Sequence, residues 1–297
     1  MIHLYEQASL SKQAHLSYIY RQEMVQQDLF LIINAIAELR NLHPQMGAKK
    51  MYHIVKPENI GRDKFIALAI ENGYGVQKRK NFQRTTYNSH IYRYTNLING
   101  INIYDINTVW VSDITYFLIE EIYYYLTFIV DLYSRRILGG IAYPSLEAKA
   151  NLYVLNMALR TRSIGCYKNL THHSDRGTQY TSKSYTEALL SKNIRISMCD
   201  SVYENTHIER VNGIIKNEYL RHWTISNFSM LKRALKDAIY LYNYKRPHLS
   251  LNYMTPVEYE TCLLSVPMTE RKGLHLYTTN TLEESIKNMN QLELFDL

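Results

Sequence analysis

Three β-rich runs in a row, followed by a regular helix–strand alternation, constrain this chain more than any other feature. Residues 109–119, 122–132 and 136–142 are dense in Val, Ile, Tyr and Phe, and only Glu120-Glu121 and Tyr133-Ser134-Arg135 separate them. Runs this close together have room for tight turns and nothing else, so they form an antiparallel meander. Residues 146–162 then carry apolar side chains at helical spacing, 169–174 return to a strand, 181–191 to a helix and 194–198 to a strand. Strands joined through helices pair in parallel. The expected class is α/β: a mixed sheet of three antiparallel strands then two parallel ones, flanked by helices.

The N-terminal part differs in character. Residues 1–24 are polar and weakly patterned, with Ser11-Lys12-Gln13-Ala14 opening a short helix. Val25, Leu29, Ile32, Ile33, Ile36 and Leu39 fall at helical spacing up to His43-Pro44. Residues 46–55 and 62–71 suit two shorter helices around Pro57 and Gly61, with Asn72-Gly73 as a stop. Three helices within 1–75 suggest a helix-turn-helix-like DNA-binding module; the plainer reading is an arbitrary three-helix unit.

Residues 76–107 read as a basic linker. No acid lies between Glu71 and Asp105, while Lys78, Arg79, Lys80, Arg84 and Arg93 are interleaved with Phe82, Tyr87, Tyr92 and Tyr94. That composition suits a strand tracking a phosphate backbone, or else a solvated linker. A net charge of +7 and a pI near 9.0 favour an anionic partner. Cys166, Cys199 and Cys262 are far apart, which gives neither a thiolate zinc site nor a disulfide framework. No signal pattern opens the sequence and no apolar run is long enough to span a bilayer, so a soluble, cytoplasmic protein is expected.

One stretch carries chemistry. In His172-His173-Ser174-Asp175-Arg176-Gly177 a carboxylate stands where a strand should stop, beside a turn. Asp113 lies within the first long strand. A third carboxylate comes from the helical segment 204–220. At 100° per residue, Asn205, Glu209, Asn212 and Lys216 share a stripe about 60° wide. Ile208, Val211 and Ile215 lie beside it, suited to packing on a sheet. Carboxylates from a strand, a strand end and a helix can converge on a pair of Mg²⁺ or Mn²⁺ ions, which take hard oxygen ligands. Two such ions activate an attacking oxygen and stabilise a leaving one in phosphodiester chemistry. Singly, each acid is more often a turn or surface group, and Asp131, Glu204 and Glu218 compete for the role.

The motifs Trp110-Val111-Ser112-Asp113-Ile114-Thr115-Tyr116, Asp131-Leu132-Tyr133-Ser134-Arg135-Arg136, His172 to Ser182, and Tyr203-Glu204-Asn205 through Glu209 occur in one order. With Tyr242-Asn243, Arg246-Pro247-His248 and Tyr253-Met254-Thr255-Pro256, they resemble bacterial insertion-sequence transposases with a retroviral-integrase-type core. The likeness covers about 108–260, and residues 26–75 resemble that family's small helical module more loosely. It implies a ribonuclease-H-like fold for the core 108–260; the tail 261–297 loses clear patterning beyond Met268 and is expected to be mobile. The likeness also implies an Asp-Asp-Glu set of Asp113, Asp175 and Glu209 as catalytic and metal-holding residues. Lys216 falls where the family carries a DNA-contacting basic residue, and Asn205 and Asn212 share its stripe. Between Asp175 and Glu209 lie 33 residues, two fewer than is usual in the family.

The implied activity is metal-dependent DNA strand cleavage followed by 3′-OH strand transfer. The alternatives are a structure-specific nuclease or resolvase on the same fold, and a non-catalytic DNA-binding regulator. The implied partners are element ends and target DNA, further copies of the chain, and an upstream-frame helix-turn-helix protein. His173 and Arg176 flank Asp175 as candidate substrate contacts, His173 equally as a structural group. Near the C-terminus, Gln291, Leu292, Leu294 and Phe295 resemble a peptide that docks on the replication sliding clamp.

Overall fold

The computed structural model describes residues 11–76, 94–163, 167–199 and 206–276. It divides into two compact units, 1–80 and 81–297.

The first unit holds α1 (Lys12–Leu42), α2 (Ala48–Val55) and α3 (Arg62–Glu71). Ile32, Ile36, Met46, Met51, Phe65 and Ala69 form its core. The expected short opening helix is instead the start of one 31-residue helix, capped where the Ser11 hydroxyl accepts from the Ala14 amide at 3.0 Å. Periodicity misses its first half because Leu16, Tyr20, Met24 and Val25 are exposed, so no buried face imposes a repeat there. The end falls where His43-Pro44 places it, because Leu42 is its last residue.

The second unit is built on a five-stranded sheet in the order β4-β3-β2-β5-β6. β2 (Val109–Ile119), β3 (Ile122–Asp131) and β4 (Ile137–Tyr143) form the antiparallel meander. Glu120 and Glu121 both have positive φ, which a two-residue hairpin turn requires for its twist to match the strands. α4 (Ala148–Arg162) leads to β5 (Thr171–Ser174). Short α5 (Thr178–Thr181) and α6 (Lys183–Leu190) lead to β6 (Arg195–Met198). β5 pairs in parallel with both β2 and β6. The mixed sheet read from the sequence is the sheet observed.

Side chains of a strand alternate between faces, and this chain uses both. Val111, Phe128 and Val130 join Ile208, Val211, Ile215 and Tyr242 on one side. Trp110, Ile129 and Leu138 join Val154, Tyr180 and Tyr185 on the other. Gly139 and Gly140 show how closely the layers approach. A Cβ at 139 would stand 2.6 Å from the Val154 carbonyl of α4, and one at 140 would stand 2.8 Å from Ile239 Cδ1.

After β6 the segment read as one helix, 204–220, divides. α7 spans Thr206–Ile214, a π turn takes Ile215–Tyr219, and a 3₁₀ turn takes Leu220–His222. α8 (Phe228–Tyr244) and α9 (Pro256–Leu263) follow, the latter opened by a Thr255–Glu258 capping box. The tail assigned from 261 begins too early. Leu263 is buried, and Leu274–His275 form β7, antiparallel to β1 (Asn102–Ile103). Two residues are too few for a periodic signal, so this pairing leaves no trace in the sequence.

A buried ionic knot ties the meander to the C-terminal helices. Asp131 accepts from the amides of Asn107, Tyr133 and Ser134 and from Arg162 Nη2 at 3.0 Å. Glu260 on α9 accepts from Arg162, Arg136 and Ser134, each at 2.6 Å. Among the described residues no helix is long and apolar enough to cross a membrane.

Candidate active site

The sheet register itself brings two of the carboxylates together. Val111 pairs with His173 across the parallel strands β2 and β5, and just past the end of that pairing Asp175 lies close enough for its charge to act on Asp113. Asp175 is the first residue past β5, and its Oδ1 accepts from the Gly177 amide at 3.0 Å. Gly177 has an ordinary backbone conformation (φ −57°, ψ 146°), yet a Cβ there would lie 3.0 Å from both Asp175 Oδ1 and Gln179 Oε1. A larger residue there would press on the folded-back Asp175 carboxylate and on Gln179, while the chain path itself makes no demand for glycine.

α7 lays its polar stripe over β2. Asn212, buried, donates from Nδ2 to Asp113 Oδ2 at 2.6 Å. Lys216 donates from Nζ to Thr115 Oγ1 at 2.7 Å and sits 5.1 Å from the centre of the Tyr116 ring. Glu209 lies in the first turn of α7 and is exposed.

The electrostatics are those of crowded acids. Burial first, and then the charge of Asp175, pushes the Asp113 carboxyl up to about 8; Glu209 adds to the rise, and the Ile114 amide and Asn212 oppose it. Burial also raises Asp175, against the Gly177 amide, and partial burial raises Glu209. Lys216 is lowered, by burial and then by Arg221. Of the three, Asp113 is the one that its neighbours' charges raise, as the acid between two others.

Oxygen donors of this kind fit a hard divalent cation. Asn212 Oδ1 is moreover buried beside them without a hydrogen-bond partner. Among the described residues no three His, Cys, Asp or Glu side chains already close around one point as a metal cage.

The structure settles several competing readings. Asp131 belongs to the ionic knot, and Glu218 makes a two-pronged ion pair with Arg246 at 2.7 Å, so neither faces Asp113. His173 is corrected: it is fully buried, with Nδ1 2.9 Å from Ser197 Oγ and Nε2 3.1 Å from Cys199 Sγ, and does not reach substrate. The strand ends at Ser174, so the alternation that would set His173 beside Asp175 does not extend that far. Asn212, read as a DNA contact, gives its amide to Asp113. Arg176 is partly buried in the turn. Asn205 and Glu204, the linker residues Lys78, Arg79, Lys80, Arg84 and Arg93, and the clamp-like Gln291, Leu292, Leu294 and Phe295 lie outside the described residues.

Sequence reasoning missed Ser112, whose hydroxyl is 2.8 Å from the buried Tyr180 hydroxyl and so ties the Asp113 strand to α5. It also missed Arg135, 3.1 Å from His207 at the start of α7. The positive φ of Arg135 is invisible in a residue type that rarely adopts it.

A sheet in this order, with acids on its central strand, on the adjoining strand end and on a following helix, defines a ribonuclease-H-like core. The family description "Integrase core domain" matches residues 105–203, and a second of the same description matches 193–256. The chain is 29% identical over 205 residues to the insertion element IS600 31 kDa protein of Shigella sonnei, covering 67% of this chain and 75% of that one. It is 30% identical over 157 residues to transposase InsF for insertion sequence IS3A of Escherichia coli K12, covering 52% and 54%. The chain thus spans about half the length of that relative. The HTLV-2 integrase catalytic core domain in complex with magnesium aligns at 21% identity and a TM-score of 0.42, covering 52% of this chain and 95% of that one. Residues 105–256 thus carry an integrase core domain, and the chain is similar to insertion-sequence transposases.

Proposed function

We propose that this chain cuts a DNA strand at the end of an insertion sequence and joins the resulting 3′-OH to target DNA. Asp113, Asp175 and Glu209 are the catalytic carboxylates and would hold Mg²⁺ or Mn²⁺. The observation that supports this reading most is the crowding of Asp113 by the charges of Asp175 and Glu209. Bound there, a divalent pair supplies Lewis-acid stabilisation of the entering and leaving oxygens.

The chain's own residues do the rest. Asn212 fixes the Asp113 carboxylate. Gly177 leaves room for the Asp175 carboxylate and for an approaching phosphodiester. Lys216, held over Tyr116, keeps a cation beside the acids for DNA. The basic linker residues carry the backbone contacts expected of them, and the protein works in the cytoplasm at the nucleoid, as further copies on DNA.

Joining separates this function from its rivals. Purified chain with Mg²⁺ and a pre-cut duplex bearing a free 3′-OH should join that end to a second duplex. Hydrolysis without joining would make it a nuclease or resolvase, and binding without either would make it a regulator. A peptide of residues 286–297 tests the clamp contact: binding that a known clamp ligand competes away supports it, and no binding removes it.

A further inference from the structure

The two faces of the β2–β3 hairpin tip differ. Residues directly opposite one another in an antiparallel pair share a face. Phe117, Ile119 and Tyr124 lie on a covered face: they belong to the core beneath α8, and Tyr124 stacks on Phe228 of that helix with ring centres 5.0 Å apart. The register gathers the alternate side chains on the other face. Tyr116 pairs with Tyr125 and Leu118 with Tyr123, and Tyr125 in turn pairs with Tyr143 of β4. Tyr116 and Tyr123 meet edge to face, their ring centres 5.4 Å apart. Leu118 and Tyr123 are half exposed, and Tyr116, Tyr125 and Tyr143 are partly exposed. Four tyrosines and a leucine on one open sheet face make a contiguous patch of the kind that marks a binding surface.

The border of the patch identifies its occupant. β2 outruns β5: the two pair over Val109–Val111, while β2 continues to Ile119. Lys216 reaches this edge of β2. Its Nζ donates to Thr115 Oγ1 at 2.7 Å and to the Tyr116 carbonyl at 3.4 Å, and lies 5.1 Å from the centre of the Tyr116 ring. Thr115 shares a face with Asp113 and Tyr116 faces the other way, so this one cation borders both the carboxylates and the tyrosines. Tyr116 itself stands about 10 Å beyond Asp113 along the strand. An apolar protein surface laid here would have to strip water from the ammonium, whereas a phosphodiester would pair with it. The rings offer π-faces on which any base can stack, and their hydroxyls stay hydrated when the face is empty.

We infer that Tyr116, Leu118, Tyr123, Tyr125 and Tyr143 form a stacking face for unpaired bases of the DNA strand that leaves the carboxylates past Lys216. The backbone of that strand meets the Lys216 ammonium and its bases lie on the rings. The ligand class is a single-stranded extension beside the reacting phosphodiester, held without regard to sequence because every base has a π-face. The inference rests on the transposase reading above.

The test titrates the full chain with a blunt duplex and with the same duplex carrying a short single-stranded tail, of either polarity, that contains 2-aminopurine, whose fluorescence falls when it stacks. The unsubstituted chain should bind one tailed duplex more tightly than the blunt one and quench its tail. Tyr123→Ala should lower the tailed-to-blunt affinity ratio at least about fivefold, the loss of one stacked base, and relieve the quenching. Tyr123→Phe keeps the ring and should keep both effects. Leu118→Glu, at a half-exposed position, should also lower the ratio, and it serves as the test if Tyr123→Ala does not fold. Equal affinity of the unsubstituted chain for blunt and tailed duplexes, or a ratio that neither substitution moves, overturns the stacking face and leaves the transposase reading standing. A smaller oligomer in both variants, with the ratio unmoved, overturns it in favour of an interface between copies of the chain. A ratio lowered in both variants, with no joining by the unsubstituted chain, supports the stacking face and sinks the joining reaction.

Discussion

Asn212 gives its side-chain amide to Asp113 Oδ2 at 2.6 Å, while its own buried Oδ1 accepts no hydrogen bond. One end of the amide fixes a carboxylate, and the other end is left over beside it. A hydrogen bond to a charged group contributes about 1.5–3 kcal/mol. Asn212→Ala should therefore slow joining at least tenfold, which corresponds to about 1.4 kcal/mol, through the loss of Asp113 orientation. DNA affinity and its salt slope should stay unchanged. A flattened slope with normal turnover would return Asn212 to the role of DNA contact.

The raised Asp113 carboxyl makes stability fall as pH rises. Its folded form keeps the proton up to about 8, against 3.8 ordinarily, so between those values the native state binds the extra proton. Unfolding then gains on folding as pH increases through that window. In metal-free buffer, Asp113→Asn should match the unsubstituted chain near pH 4 and exceed it in Tm at pH 8. Equal Tm differences at both pH values would show that Asp113 is not crowded.

A divalent cation should reverse that loss. A ligand that binds only the native state raises Tm with concentration. Mg²⁺ or Mn²⁺ is expected to raise the Tm of the unsubstituted chain at pH 8, and to raise that of Asp113→Asn or Asp175→Asn much less. A rise of the same size in all three proteins would place the cation elsewhere.

The ionic knot is structural. Removing Arg162 would leave Asp131 buried without its cation and Glu260 with Arg136 alone. Breaking such a pair from one side costs about 3–5 kcal/mol. Arg162→Met should show that loss in urea unfolding, and a loss below about 1 kcal/mol, the worth of an exposed pair, would mean that the knot is well solvated.

Much of this was legible in the sequence because it is periodic or long. The meander, α4 and the two parallel strands have enough residues to show their repeats, and Asp113 and Asp175 stand at positions that those strands define. The stripe of α7 was also legible, with Ile208, Val211 and Ile215 buried beneath it. What escaped is short or depends on the tertiary fold. The π turn at Ile215–Tyr219 breaks the 100° step on which the stripe was counted, although Lys216 still reaches Thr115. The β1–β7 pair rests on two residues from each end of the unit. The roles of His173 and Arg135 depend on where a strand stops and on one positive φ, and neither leaves a pattern.

Joining of a pre-cut 3′-OH end by Glu209→Gln, beside the unsubstituted chain, tests the central claim most directly. The substitution keeps the size of an exposed side chain and removes only its charge. The expected result is joined product from the unsubstituted chain with Mg²⁺ and none above background from Glu209→Gln, with DNA binding retained in both. Normal joining by Glu209→Gln would contradict the assignment of Asp113, Asp175 and Glu209 as one catalytic site.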